Sequence, residues 1–198
     1  MTPNKKSPKP AKKEPQEIPT PGDHIKKPRY KRDDYTIRQE RFKEALEALE
    51  VETPRVDGFA SPENSRCPLF WDARNSAFDR NWKAQGLLWL NPPFQFLPRV
   101  VDKLEKEHPT VLLLCPDWQT APWFKKVQPM ATRSYFFPRG TRLFEDPPGR
   151  KGRLGPTRWG TWVFYINPAE DNTKRVRVLQ GKEIRETQLK IAVSLSAD

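Results

Sequence analysis

The sequence predicts an α/β domain in which a mixed or mostly parallel β-sheet is flanked by helices. Between residues 34 and 167, short apolar runs alternate with amphipathic stretches, as they do where strands are connected by helices. The runs at 87–90 and 110–114 are apolar throughout, which is typical of parallel strands buried on both faces. The length of 198 residues fits one such domain with tails better than two domains.

Three amphipathic stretches are predicted to be helices. In each of them, apolar residues recur at steps of three and four and charged residues fill other positions. They lie at 34–50, at 97–107 and around Trp123, Phe124 and Val127. A further helix is predicted to start at 61–63, with Ser61 as its cap and Pro62 at its first helical position.

Five short apolar runs are predicted to be strands: 55–59, 87–90, 110–114, 134–137 and 161–166. Ligands of such sheets bind beyond the carboxyl ends of the parallel strands. We therefore expect Asp57 and the turns 91–94 and 116–118 to be neighbours at one edge of the sheet. The stretch 168–198 is interpreted as a polar tail, because its apolar residues alternate only weakly.

Residues 1–33 are predicted to form a disordered basic arm. They contain ten Lys or Arg, four acidic residues and seven prolines, with almost no large apolar side chain. Such a segment cannot bury enough surface to offset the entropy of ordering it. The net charge of the chain is +11, which favours nucleic acid as the partner. The alternative is a solvated tail that only aids solubility.

Other composition features narrow the class of protein. Cys67 and Cys115 are too few and too scattered for a disulfide framework or a zinc site, and are expected to be buried thiols. His24 and His108 lie far apart, so neither a histidine-based catalytic centre nor a histidine metal cluster is predicted. No apolar run approaches the ~20 residues of a membrane span. We expect an intracellular protein, in the nucleus if eukaryotic or in the host cytoplasm if phage-encoded.

The turn Asn91-Pro92-Pro93-Phe94, directly after a predicted strand, has chemistry suited to an amine on an aromatic base. The Asn91 side-chain oxygen and the Pro92 carbonyl can accept hydrogen bonds from both amine protons, and consecutive prolines make the turn stiff. Phe94 offers a ring on which an extruded base can stack. On spacing alone, the same four residues also fit an ordinary turn after a strand.

Several motifs, in order along the chain, resemble those of Dam-like DNA N6-adenine methyltransferases from bacteriophages and tyrosine-recombinase retrotransposons. They are the run 56–67, Asp79 with Trp82, the turn with its preceding leucine at 90–94, and the later segments 114–118, 122–124, 139–144 and 162–164. The resemblance covers roughly residues 40–167, far more than any single motif. It implies a Rossmann-like methyltransferase sheet, S-adenosylmethionine as the cofactor and DNA as the partner.

The resemblance also implies roles for individual residues. By that match Asn91, Pro92, Pro93 and Phe94 hold the target adenine. Residues implied at the cofactor are Asp57, Phe59, Asn64 and Asp79, with Asp79 near its adenine.

Plain structural roles stay open for these cofactor residues. Asp57 before Gly58 is also a turn former, Asn64 could lie inside a helix, and Asp79 could cap the turn around Trp82. Only Gly58 stands where many methyltransferases carry a glycine-rich loop. Retrotransposon copies often lose the motif's asparagine, so the presence of Asn91 favours retained activity.

DNA contacts are predicted in the Gly/Pro/Arg-rich loop at 139–158. The candidate cations are Arg139, Arg142, Arg150, Lys151 and Arg153. Contacts of this kind would also serve a decayed methyltransferase fold that only binds DNA.

A ribonuclease H-like nuclease is the rival enzyme. Asp57, Asp72, Asp79 and Asp117 could supply a two-metal carboxylate site for it. That reading leaves the Asn-Pro-Pro-Phe turn without a role, and no clear glutamate follows on a helix.

Overall fold

The computed structural model describes residues 35–145 and 154–170, together with the backbone of two strands at 176–179 and 182–185. The predicted arm at 1–33 and the candidate DNA contacts Arg150, Lys151 and Arg153 lie outside the described residues. Within these ranges no helix has the length and apolar character needed to cross a membrane.

The predicted α/β fold is confirmed. Three α-helices are described: α1 Gln39–Ala48, α2 Leu97–Glu107 and α3 Pro122–Val127. Eight strands form one sheet: β2 Val56–Asp57, β3 Leu69–Phe70, β4 Leu88–Leu90, β5 Val111–Pro116, β6 Arg133–Phe137, β8 Thr161–Ile166, β9 Val176–Leu179 and β10 Lys182–Arg185. Two further strands, β1 Thr36–Ile37 and β7 Phe144–Glu145, pair antiparallel with each other.

The sheet is mixed and has the order β10-β9-β6-β8-β5-β4-β2-β3. Strands β3, β2, β4 and β5 are parallel neighbours. Strand β8 runs antiparallel between β5 and β6, so β6 points the same way as β5. The carboxyl ends of β2, β4, β5 and β6 therefore meet at one edge, where β8 begins.

The core lies on both faces of the sheet, as the apolar strands predicted. Along β5, Val111, Leu113 and Cys115 face one cluster, which includes Val100 and Val101 of α2. Leu112 and Leu114 face the other cluster. Helices α2 and α3 thus cover one face, and α1 covers the opposite face with its buried residues Phe42, Ala45 and Leu46. Both cysteines are free and buried, as predicted.

The prediction of a helix over 34–50 was wrong at its start. Helix α1 begins only at Gln39, and Thr36–Ile37 is strand β1. The backbone of Arg38 is extended, and its N–H donates to the Leu143 carbonyl at 2.9 Å. The apolar spacing that suggested a helix is real, but Ile37 is buried through pairing with β7 instead.

The predicted helix at 61–63 forms only one turn. The Asn64 side-chain oxygen accepts the Ser61 backbone N–H at 2.7 Å, and the Arg66 N–H donates to Asp57. These bonds draw the chain back toward β2, where it forms strand β3, which the sequence did not predict.

The sheet also extends into the stretch that was interpreted as a polar tail. Strand β9 pairs parallel with β6, and β10 pairs antiparallel with β9. The weak alternation at Val176 and Val178 therefore belongs to a strand, whose partner lies about 40 residues earlier in the chain.

Candidate active site

Polar residues end three neighbouring parallel strands at the same edge of the sheet. Asp57 is the last residue of β2, Asn91 follows β4, and Asp117 follows β5. Since β2 pairs with β4 and β4 with β5, the predicted juxtaposition of 57, 91–94 and 116–118 is confirmed. We call this edge the site edge.

Asp57 is a buried carboxylate held by backbone donors. One oxygen accepts the Phe59 N–H and the other accepts the Arg66 N–H, each at 3.2 Å. Only 3% of the residue is exposed. Burial disfavours the charged form and raises the pKa of Asp57 from 3.8 to about 6, against the opposing effect of the two N–H donors and of the Arg66 cation.

Arg66 connects Asp57 to the β1–β7 pair. Its backbone binds Asp57, its Nε donates to the Ile37 carbonyl at 2.8 Å, and its guanidinium forms an ion pair with Glu145. The side chain is mostly buried. No sequence pattern predicted this role, because an arginine among polar loop residues has no periodicity to mark it.

Asn91, after β4, is fixed by a hydrogen bond to the residue that directly precedes β1. Its Nδ2 donates to the Tyr35 backbone carbonyl at 2.6 Å. This bond uses the donor end of the amide and leaves Oδ1 as the end that accepts. Tyr35 was not predicted as a site residue, and an isolated aromatic residue just after the polar arm was the only available signal.

The two prolines shape the turn as expected from their restricted backbone. Pro92 is buried, and Pro93 has an extended backbone with φ −50° and ψ 133°. The Pro93 carbonyl accepts the Phe96 N–H at 2.8 Å, which begins a 3-10 turn over Phe94–Phe96 and leads into α2.

Phe94 lies inside an aromatic cluster. Its ring centroid is 5.5 Å from Tyr35, 5.5 Å from Trp118 and 5.8 Å from Trp159. Only 9% of Phe94 is exposed, whereas Trp118 is 42% exposed. The open aromatic surface at the site edge is therefore that of Trp118.

A narrow cavity lies between β1 and the ends of β2 and β4. Its volume is about 10 Å³, the space of a single water molecule. It is lined by Tyr35, Thr36, Ile37, Asp57, Phe59, Asn64, Arg66, Trp89 and Asn91.

Three of the four predicted cofactor residues line this cavity, and Asp79 does not. Asp57, Phe59 and Asn64 are all part of its wall. Phe59 also packs edge-on against Phe78, with ring centroids 5.5 Å apart. Asp79 is exposed and follows the half-buried Phe78 on a 3-10 turn that Ser76 caps.

Asp117 has a structural role at the site edge. Its N–H donates to the Gly160 carbonyl at 2.8 Å, and its Oδ1 accepts the Trp162 indole N–H at 2.9 Å. Gly160 has no room for a side chain, because a Cβ there would lie 2.4 Å from the Phe136 ring.

Exposed arginines follow β6 at the same edge. Arg139 and Arg142 lie on the turn after the strand, and both are exposed. The turn is held by backbone bonds from Gly140 to Thr157 at 2.8 Å and from Thr157 to Thr141 at 2.9 Å. Arg158, the last residue of the predicted loop 139–158 but not one of its named candidates, is exposed beside it.

The carboxylates that the nuclease hypothesis requires do not form a cluster in the part of the chain that the structure describes. There, no three His, Cys, Asp or Glu side chains come close enough to share a metal ion. Asp117 is instead bonded to Trp162, and Asp72 accepts the N–H groups of Arg74 and Asn75 in an exposed turn.

Comparison with known proteins agrees with the motifs at the site edge. Residues 28–152, more than half of the chain, match the family model described as DNA N-6-adenine-methyltransferase (Dam). The chain belongs to this family. The match includes β2, the turn 91–94 and the β6–β7 region, so the Dam family resemblance inferred from the motifs is confirmed.

A phage protein is a relative within this family. The chain is 30% identical over 107 residues to the DNA N-6-adenine-methyltransferase of Escherichia phage T1. The matched region is 50% of this chain and 44% of the phage protein, so the chain covers less than half of that relative's length.

Proposed function

We propose that the protein transfers a methyl group from S-adenosylmethionine to the N6 amine of adenine in DNA. One observation carries the proposal: in a chain of the Dam family, Asn91-Pro92-Pro93-Phe94 follows β4 beside the buried Asp57 of β2. The edge beyond the carboxyl ends of parallel strands is where α/β sheets bind ligands.

The proposed reaction needs acceptors for the amine protons. The lone pair of an exocyclic amine is delocalised into the ring, which makes the nitrogen a poor nucleophile. Asn91 Oδ1 and the Pro92 carbonyl would accept the two N–H groups and draw the nitrogen toward tetrahedral geometry. The bond from Asn91 Nδ2 to Tyr35 supports this role, because it holds the amide with Oδ1 available. Phe94, buried in the aromatic cluster, would hold the turn 91–94 in place.

The residues around the narrow cavity suit S-adenosylmethionine. Asp57 can accept hydrogen bonds from its amino or hydroxyl groups. Phe59 and Asn64 would complete the site, and Asp79 is proposed at the adenine end. When bound, the cofactor supplies an electrophilic methyl group, so no general base is needed before transfer. The cavity has room for about one water molecule, so the site would have to widen when the cofactor binds.

The sheet supports a Rossmann-like methyltransferase domain. Four parallel strands end beside the proposed ligand residues, with helices on both faces. The antiparallel β8 lies between β5 and β6 and starts at the same edge, and Trp159, just before its start, belongs to the aromatic cluster.

DNA would approach the site edge across the exposed arginines. At that edge, Arg139 and Arg142 follow β6, and Arg158 precedes β8. Arg150, Lys151, Arg153 and the basic arm 1–33 are proposed as further phosphate contacts. Such contacts give affinity without sequence preference.

One experiment tests the function. S-adenosylmethionine is titrated into the purified protein by calorimetry, and transfer of labelled methyl to unmethylated DNA is then measured, with digestion to nucleosides to identify N6-methyladenine. We expect micromolar binding and label in N6-methyladenine only. Label in another base would contradict the assigned amine.

A second function is favoured by the small volume of the cavity. If the site does not widen, the protein would bind DNA through its cations but no cofactor, as a decayed member of the family. The same titration separates the two functions: no heat of binding up to high micromolar S-adenosylmethionine, together with salt-sensitive DNA binding, would establish the second.

A further inference from the structure

Trp118 stands out among the aromatic residues of the described chain. It and Leu69 are the large hydrophobic residues that are exposed there, at 42% and 48%. Other tryptophans of the site edge are mostly covered, with Trp123 at 7% and Trp162 at 8%. An exposed indole at a ligand-binding edge is a surface that a flat ligand can cover.

Phe94, the ring expected to stack with the base, is already covered. Tyr35 packs on it at 5.5 Å with an interplanar angle of 36°. Trp118 and Trp159 meet it at angles of 78° and 83°. With 9% of its surface exposed, Phe94 has no free face of the size of a purine.

The Trp118 backbone is held in a fixed turn. Its N–H donates to the Pro116 carbonyl at 2.9 Å, and its carbonyl accepts the Ala121 N–H at 2.8 Å. The preceding residue, Asp117, is tied to Trp162 and Gly160. A ring carried by such a turn loses little freedom when a ligand stacks on it.

The position of Trp118 matches the reach of a base held at Asn91. The two residues follow β4 and β5, which are adjacent parallel strands in which Leu90 pairs with Leu113. The Trp118 ring contacts Phe94, three residues after Asn91. A purine whose amine meets Asn91 can therefore extend its ring over the exposed indole.

We propose that Trp118, which follows β5 and contacts the Phe94 ring, is the platform on which the extruded adenine stacks. Phe94 supports that platform from the side. The inference rests on the proposed function and assigns it a substrate-binding residue outside the Asn-Pro-Pro-Phe turn. Stacking needs only a π-face, so it holds the base without reading its edge.

The first test measures activity. Trp118→Ala, Trp118→Phe and the control Leu69→Ala are compared with the unchanged chain in methyl transfer to unmethylated DNA. Loss of the ring is expected to lower kcat/KM on the order of 10- to 100-fold, the effect of one base-stacking contact. Trp118→Phe should retain most of the kcat/KM of the unchanged chain, and Leu69→Ala should change kcat/KM less than twofold. Equal kcat/KM in Trp118→Ala and the unchanged chain would overturn the proposal.

The second test does not need activity. Tryptophan fluorescence is followed while single-stranded oligonucleotides of adenine, or the same backbone with abasic sites, are added. We expect adenine to quench the unchanged chain more than the abasic backbone does, and the difference to vanish in Trp118→Phe. If the difference persists in Trp118→Phe, Trp118 is not the platform, whether or not the protein transfers methyl groups. If the unchanged chain is inactive but the difference vanishes, the proposed reaction fails and the stacking site stands.

Discussion

The Asn91 side chain donates a hydrogen bond of 2.6 Å to the backbone carbonyl of Tyr35, 56 residues earlier in the chain. The bond determines which end of the amide points to the strand β1 and which end is left to accept. It also joins the turn 91–94 to the wall of the cavity beside Asp57. The proposed adenine and cofactor sites therefore share one structural element, the segment from Tyr35 to Ile37.

Replacing Asn91 by Ala is expected to abolish methyl transfer and to leave DNA affinity within a few-fold. The acceptor is used mainly in the transition state, so its loss lowers kcat rather than binding. Activity and affinity are measured on the same DNA, with Asn75→Ala, an exposed loop variant, as the control. A parallel loss of affinity would indicate that the turn is only structural.

The stability of the protein should depend on the ionisation of Asp57. The folded state keeps the Asp57 proton up to a pKa of about 6, whereas the unfolded chain releases it near 3.8. Between these values the folded state binds more protons, so this contribution falls as pH rises from about 4 to 6 and is constant above.

Urea unfolding of the wild type and Asp57→Asn at several pH values checks this dependence. The stability of the wild type relative to Asp57→Asn should fall by up to ~3 kcal/mol between pH 4 and pH 7. The difference between the proteins cancels other carboxyl groups, such as Glu107, whose pKa is lowered by Lys103 and the Trp82 N–H although burial acts against them. A difference independent of pH would contradict the burial effect. Asp57→Asn should also weaken S-adenosylmethionine binding at pH 7.

Arg66→Met should destabilise the β1–β7 pair. The change leaves the Ile37 carbonyl without the Nε donor and Glu145 without its cation. We expect a loss of roughly 1–3 kcal/mol in the free energy of unfolding, the usual cost of a partly buried, charged hydrogen bond. Arg74→Met, at an exposed turn, is the matched control. Equal stability of the two variants would show that Arg66 does not hold the strand.

The arginines after β6 should contribute to the salt dependence of DNA binding. If Arg139 and Arg142 each neutralise one phosphate, the double Ala variant lowers the slope of log K against log salt by about 2. Arg55→Ala, before β2 at the opposite edge of the sheet, should leave the slope unchanged. Equal slopes for the double variant and Arg55→Ala would remove this turn from the DNA interface.

Deletion of residues 1–33 is a separate prediction, based on composition alone. Ten basic residues are removed with four acidic ones, so DNA binding should weaken and its salt dependence should flatten. Turnover at saturating DNA should not change, because the site edge is retained. Unchanged salt dependence would show that the arm does not contact phosphates.

The sequence by itself determined the elements whose signals are local. Continuous apolar runs located β4, β5 and β8, and the three- and four-residue spacing located α2 within its observed bounds, Leu97–Glu107. The order of the motifs indicated the family and marked the turn 91–94 as its site motif. These features depend on residues close together in the chain. They can be predicted from the sequence because the spacing of apolar residues and the restricted backbone of proline act locally.

Only the tertiary structure decided features that depend on distant partners. Strand β1 replaced the predicted start of a helix because β7, more than 100 residues later, supplies its backbone partners. Strand β3 forms because Asp57 binds the Arg66 N–H and the chain returns to β2, and β9 forms beside β6. The covering of Phe94 and the exposure of Trp118 likewise result from packing between elements. A side chain's exposure is determined by its neighbours in space, and the sequence lists only its neighbours along the chain.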